Sequence, residues 1–228
     1  MGEDRHARES GLRIQLDPRL RDRCGRTGGG LLPVPADSRV PYDPNIDIIS
    51  AAVYGAVPVT DTRLLATAAL LRSQWADPSS PNYYYPINGA DQQGGIGPLL
   101  GRYPGDTYDG DTADEPVRGH PWAVSTANFA ELYYRLAKQV TTTGSVPLDN
   151  LSEGFFSQIG VDSSTASEQA AANLESHGDQ MLQAVVFHSD HFELSEQFDA
   201  TSGFEKSVSN LSWSYASFLS ALRAKNAI

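Results

Sequence analysis

Cysteine is almost absent. The single residue, Cys24, excludes an internal disulfide and any metal site built from several thiolates. Long apolar runs are missing too: none reaches the roughly 18 residues that a membrane-spanning helix needs. Basic residues are scarce, 17 Lys and Arg against 28 Asp and Glu, for a formal net charge of −11. That balance disfavours nucleic acid and anionic membrane surfaces as partners and favours a neutral or cationic ligand. No stretch shows a clean strand alternation, and no short-period repeat is present. The opening Met1-Gly2-Glu3-Asp4-Arg5-His6 lacks the apolar core of a secretory signal, which leaves the compartment open.

The charge that is present is unevenly spread. Residues 1–39 hold eight Arg, no Lys and six Asp or Glu, a balance of +2; the other 189 residues hold nine Lys or Arg and 22 Asp or Glu, a balance of −13. Residues 1–40 are Arg- and Gly-rich with little apolar periodicity, and read as poorly ordered or foreign to the domain that occupies 41–228. Gly28-Gly29-Gly30 lacks the Lys-Ser/Thr ending and the preceding strand of a phosphate loop.

From Asp47 the pattern is helical. Ile48, Ile49, Ala52, Val53 and Ala56 share one face, and Pro58 is expected to stop that helix. A second helix is expected from about Thr60, with Asp61 in its first turn and Leu64, Ala68, Leu71 and Trp75 as one stripe. Residues 77–121 read as one long irregular loop carrying Tyr83, Tyr84, Tyr85, Tyr103 and Tyr108; a loop of that length with so many aromatics suits a ligand surface. Pro121 is expected in the first turn of a helix with Trp122, Thr126, Phe129, Tyr133 and Leu136 on one face, ending at Gly144. A short helix follows around Asn150–Ile159. Thr165 with Glu168 reads as a capping box for a helix to His188 that buries Leu174, Met181 and Val185. The last helix is expected from Asn210, with Leu211, Tyr215, Phe218 and Leu222 inward. The class is all-α: helical hairpins with long working loops gathered at one end.

Two loops are chemically loaded. One is Leu100 to Tyr108; the other runs from Phe192 to Asp199 and carries Glu193, Glu196, Gln197 and Asp199. The bland reading of the second is a helix-capping loop with solvated carboxylates. The alternative is a sugar site, which combines bidentate polar groups with aromatic platforms. Arg102 and Asp106 supply the first; Tyr103, Tyr108 and Trp122 supply the second. Glu196 is the carboxylate able to take a proton from water, with Gln197 beside it. His188-Ser189-Asp190-His191 has a metal-like spacing but no third ligand, so the metal expectation is none; capping and surface polarity are the plainer reading. Ser is plentiful but no nucleophile elbow occurs.

Gly101-Arg102-Tyr103-Pro104-Gly105-Asp106-Thr107-Tyr108, Pro121-Trp122, Leu194-Ser195-Glu196-Gln197-Phe198-Asp199 and Leu211-Ser212-Trp213-Ser214-Tyr215-Ala216 together resemble, in order and spacing, the C-terminal half of the glucoamylase and glucodextranase family, glycoside hydrolase family 15. Asp43-Pro44-Asn45-Ile46-Asp47 is similar to a family loop, and Tyr85-Pro86-Ile87-Asn88 resembles the bacterial members. The resemblance covers residues 43–226. It implies about half of an (α/α)6 toroid, release of β-glucose from non-reducing ends of α-glucans with inversion, and no cofactor. It assigns Glu196 as general base, Arg102 as a hydroxyl-binding residue of the terminal glucose, Tyr103, Asp106 and Tyr108 as its neighbours, Trp122 as an aromatic lining residue, and Gln197 as the residue that follows the base. Gly105 departs from the family, which often has Glu there.

The general acid of this family lies in its N-terminal half, and no motif here matches it. The expectation is therefore a partial family member whose partners are an α-glucan or maltooligosaccharide and a separate N-terminal half. Half a toroid would also expose apolar helix faces and favour self-association. The other reading is a non-catalytic carbohydrate-binding remnant of the same fold.

Overall fold

The computed structural model describes residues 44–80, 84–106, 108 and 119–228. Residues 1–40, Asp43, Tyr83 and Thr107, on which some expectations above fall, lie outside this set.

Helix α1 spans Asp47–Val53 and opens with the Asn45 side chain accepting the Asp47 amide at 3.0 Å. It ends well before Pro58, because Gly55 takes a left-handed backbone (φ 81°) and turns the chain out. Ala56, expected on its apolar face, is therefore exposed. Helix α2 spans Thr62–Ala76. Asp61 caps it from outside, its Oδ1 accepting the Arg63 amide at 2.9 Å. All four members of its expected stripe are completely buried.

The long loop contains a helix that periodicity missed, α3 at Pro86–Gln93. Its sequence has one large apolar residue, so tertiary bonds hold it in place. Asn88 clamps the chain on both sides, donating to Trp75 O at 3.1 Å and Leu99 O at 2.9 Å and accepting the Leu99 amide at 2.9 Å.

Helix α4, Ala123–Thr143, is the axis of the molecule and packs against α1, α6 and α7. Thr126, Phe129, Tyr133 and Leu136 are fully buried, as are residues on its other faces. Trp122 is its N-cap, so Pro121 stands before the helix and not in its first turn. Helix α5, Glu153–Ser157, buries Phe155 and Phe156.

Helix α6, Ser167–His188, buries Leu174, Met181 and Val185 as expected. The capping box does not form: Thr165 Oγ1 instead accepts the Asp162 amide at 3.0 Å in the preceding turn, and Ala166 is the N-cap. Helix α7, Ser212–Lys225, starts after Asn210, whose φ of 55° lies outside helical space. Leu211, Tyr215, Phe218 and Leu222 are only half-buried; the deeply buried positions are Ser214, Ser217 and Ala221. Small side chains there let α7 approach α4 closely.

A two-stranded hairpin also appears, β1 at Gln197–Phe198 antiparallel to β2 at Glu205–Lys206, pairing Gln197 with Lys206 and Phe198 with Glu205. Among the described residues, no helix is long and apolar enough to cross a membrane. Several large apolar side chains stay open to solvent, including Phe192 and Phe204 at 77% and Leu219 at 62%.

Candidate active site

Trp122 is where the two loaded loops meet. Its amide donates to Leu100 O at 2.9 Å, which fastens the Arg102 loop to the start of α4. On its other side it forms an antiparallel bridge with Gln197. The Ala123 amide donates to Glu196 O at 3.2 Å and the Phe198 amide donates to Pro121 O at 2.9 Å, so the Glu196 loop is stitched to the same helix start.

Arg102 and Asp106 form a two-pronged pair. Arg102 Nε and Nη2 donate to the two carboxylate oxygens at 2.7 and 2.8 Å. Asp106 is fully buried and also accepts from Trp122 Nε1 at 3.1 Å and the Tyr108 amide at 3.3 Å. Planar guanidinium and carboxylate match in this geometry, which fixes the arginine's direction as well as its charge. The guanidinium lies 3.8 Å from the centre of the Trp122 ring system, with Tyr108 at 5.1 Å and Tyr103 at 5.3 Å. Aromatic faces attract a cation at these distances. Burial works against the Arg102 charge, but Asp106 and, more weakly, Tyr103 and Glu196 outweigh it and hold its pKa above the ordinary value. Burial first, and Asp106 second, push the Tyr103 phenol upward.

Glu196 is 6% exposed, and Ser207 donates its hydroxyl to Oε2. Glu196 also contributes to the raised Arg102 pKa, as the weakest of the named causes, and its backbone is fastened to the start of α4 next to Trp122. The other acceptors of the loop have different roles. Glu193 is exposed and accepts from Asn210 Nδ2 at 3.0 Å. Asp199 is occupied in the hairpin turn, accepting from the Thr201 and Ser202 amides at 3.1 and 2.7 Å. Burial would raise its pKa, but the Ser202 and Thr201 donors prevail and lower it. The solvated-carboxylate reading thus fits Glu193 and does not fit Glu196. Gln197 is fully buried, and its side-chain amide has no hydrogen-bond partner among the described residues.

Two participants were not singled out from the sequence. Trp213, at the start of α7, sets its ring edge-on to Trp122 with centroids 5.8 Å apart and is 44% exposed. Ser207 has no motif of its own; only the hairpin brings it to Glu196.

The histidines resolve into structural roles. His188 Nε2 bonds both Asp91 oxygens at 3.0 and 2.9 Å in a buried pair between α6 and α3. His191 is exposed beside Asp190. His120 is buried, and its Nδ1 accepts the Ala200 amide at 3.3 Å. No group of three or more His, Cys, Asp or Glu side chains among the described residues is placed to hold a metal ion.

Comparison with known proteins gives a consistent result. The family described as Glycosyl hydrolases family 15 matches residues 36–223. Glucoamylase 1 of Rhizopus oryzae is 32% identical over 175 residues, 72% of this chain and 27% of that protein. The intracellular sporulation-specific glucoamylase of Saccharomyces cerevisiae is 30% identical over 165 residues, 63% of this chain and 29% of that protein. Both relatives are fungal. The family 15 glucoamylase structure from Hypocrea jecorina superposes with a TM-score of 0.66 at 24% identity, over 81% of this chain and 31% of that one. The Saccharomycopsis fibuligera glucoamylase structure gives 0.63 at 22% identity, over 81% of this chain and 41% of that one. The fold is therefore part of the (α/α)6 architecture of these structures. The chain spans less than a third of the length of each of these two relatives.

Proposed function

The chain belongs to glycosyl hydrolase family 15, and on that footing we propose that it is the base-bearing, C-terminal half of a glucoamylase-type catalytic domain. Its resemblance to bacterial members at Tyr85-Pro86-Ile87-Asn88 belongs to the same proposal. The observation that carries the reading is the convergence at the start of α4: a fixed Arg102–Asp106 pair against the Trp122 ring, with tyrosines and Trp213 around it, and the buried Glu196 fastened by its backbone to the next residue.

In this reading Arg102 uses its outward N–H groups to hold hydroxyls of a terminal glucose, while Asp106 holds Arg102 in place. Tyr103, Tyr108, Trp122 and Trp213 offer apolar faces to the ring. Glu196 takes a proton from a water molecule as that water attacks the anomeric carbon. Inversion requires a second carboxyl group about 6.5–9.5 Å away to protonate the leaving oxygen. That acid is supplied by the rest of the family fold, which this chain spans only in part. The open face of α7, with Trp213 and Leu219 exposed, suits a seat for that remainder.

The test is assembly. The 228-residue chain alone should release little glucose from maltose or starch, since one missing acid or base costs a factor of about 10²–10⁴. Adding a polypeptide that supplies the rest of the fold should restore release of β-glucose, and Glu196→Gln should abolish it again. Vigorous turnover by the chain alone would overturn the partial-site reading. An assembly that binds maltose without turnover would favour the carbohydrate-binding remnant.

A further inference from the structure

We propose that the cleft between α2, α3 and α6 is a second binding site, for a neutral polyhydroxylated ligand of one or two sugar rings. The cleft has a volume of about 410 Å³ and shares no lining residue with the Arg102–Glu196 group. Volumes of about 300–1,000 Å³ are usual for small-molecule sites. The proposal rests on the cleft's own groups and is independent of the role given to Glu196.

Its charges select the class of guest. Among the described lining residues Arg72 carries positive charge at neutral pH and Asp77 carries negative charge. His177 also lines it, but burial, and then the nearby Arg72, depress its pKa to about 4, so it is neutral at pH 7. An anion drawn to Arg72 would meet Asp77 and the Gln158 side-chain oxygen. A cation would meet Arg72.

Its hydrogen bonding points the same way. Arg72 Nη1 donates to Gln158 O at 3.1 Å, yet Arg72 Nε has no partner. Gln158 Nε2 donates to Ala69 O at 2.9 Å and to Ser73 Oγ at 2.7 Å, which fixes the amide's orientation because a carbonyl can only accept. Gln158 Oε1 is then left without a donor. The wall therefore holds an unmatched donor and an unmatched acceptor on two adjoining side chains. Unmade bonds of shielded polar groups are costly, so any guest that completes both is favoured. A hydroxyl donates and accepts at once, and neighbouring hydroxyls on a sugar ring do so in pairs. Arg72 and Gln158 both line the cleft, so a guest seated there lies against the side chains that carry these atoms. Gln92 and Gln180 add amide groups to the lining, and Ile96 and Pro98 give an apolar strip for ring C–H groups.

The experiment is an NMR titration of the whole chain with maltose and, separately, with inorganic phosphate. Side-chain amides of Gln158 and Gln180 report the cleft; the indole N–H groups of Trp122 and Trp213 report the other site. Maltose should shift the cleft amides saturably. Arg72→Ala should weaken that response about tenfold or more, as loss of a charged hydrogen-bond donor does. Gln180→Trp, a change at the partly exposed α6 wall, should fill the cleft and abolish the response even if Arg72→Ala disturbs folding. Cleft amides that stay still while the indoles shift would overturn the second site and leave the first standing. Cleft amides that shift while the indoles stay still would support the second site and count against the first. Phosphate binding there more tightly than maltose would overturn the neutral-ligand assignment.

Discussion

Ser207 donates its hydroxyl to Glu196 Oε2 from a left-handed backbone, φ 68°. A serine in that conformation is unusual, since a side chain there crowds its own backbone. The hairpin thus holds a strained residue in order to place one donor against one carboxylate. Ser207→Gly relieves the backbone and removes the donor; Ser207→Ala removes the donor and keeps the crowding. In the assembly proposed above, both should lower glucose release about tenfold, because a hydrogen bond to a charged group contributes about 1.5–3 kcal/mol. The Gly variant should be the more stable by about 1 kcal/mol. Urea melts and glucose-release rates check the two halves separately.

Asp106 is the buried member of the Arg102 pair, with side-chain exposures of 0% for Asp106 and 27% for Arg102. Asp106→Ala strands the guanidinium and the Trp122 indole N–H together. The expected loss is about 2–4 kcal/mol, below the range for a fully buried pair because water still reaches Arg102. Maltose-induced change in tryptophan fluorescence should disappear as well. Unchanged melting with intact maltose response would show that the pair does not organise the site.

His177 makes stability depend on pH. Its pKa is depressed to about 4 in the folded chain, by burial first and by Arg72 second, from the ordinary value of 6.5. Between those values the unfolded chain binds more protons than the folded one, so stability rises with pH. The contribution is fully present above about pH 6.5 and is lost as pH falls toward about 4. After discounting for the partial exposure of the ring, it amounts to about 1–2 kcal/mol. Denaturant melts across that window should be flatter for His177→Gln than for the parent; parallel curves would remove His177 from the account.

Gly203 closes the hairpin turn with φ 75°, and a β-carbon there would stand 2.3 Å from His188 Nδ1. His188 is itself fixed by Asp91, so the ring cannot step aside without breaking a buried pair. Gly203→Ala should destabilise the chain by about 2–3 kcal/mol, combining the conformational and steric costs. Hydrogen exchange should show the effect first at the Phe198 amide, which bonds Pro121 O at 2.9 Å. Protection equal to the parent's would contradict a turn braced by His188.

Much of the helical frame was legible because its stripes are long and periodic. Leu64, Ala68, Leu71 and Trp75 lie where a 3.6-residue period puts them, as do Phe129, Tyr133 and Leu136. Helix α3 was not legible, because bonds from Asn88 to chain segments before and after it hold it in place. The capping box at Thr165 failed for a local reason: Asp162 offered the hydroxyl a competing turn. On α7 the period was right but the face was displaced, since close approach to α4 selects Ser214, Ser217 and Ala221 over the larger residues. The residues named for the proposed sugar site came from short motifs, while the Ser207–Glu196 bond and the burial of Gln197 were not legible in the sequence.

The amino-acid sequence by itself determined which segments could be helices and which side chains could bind or take a proton, because those depend on spacing along the chain and on chemistry that each residue carries alone. Only the tertiary structure decided that Arg102 lies over the Trp122 indole while the Glu196 loop is fastened to the same helix start, that Asp199 serves a turn and that His188 serves a brace. Those outcomes depend on contacts between segments far apart in the chain, where burial and competing hydrogen-bond partners choose among roles that a residue's identity leaves open.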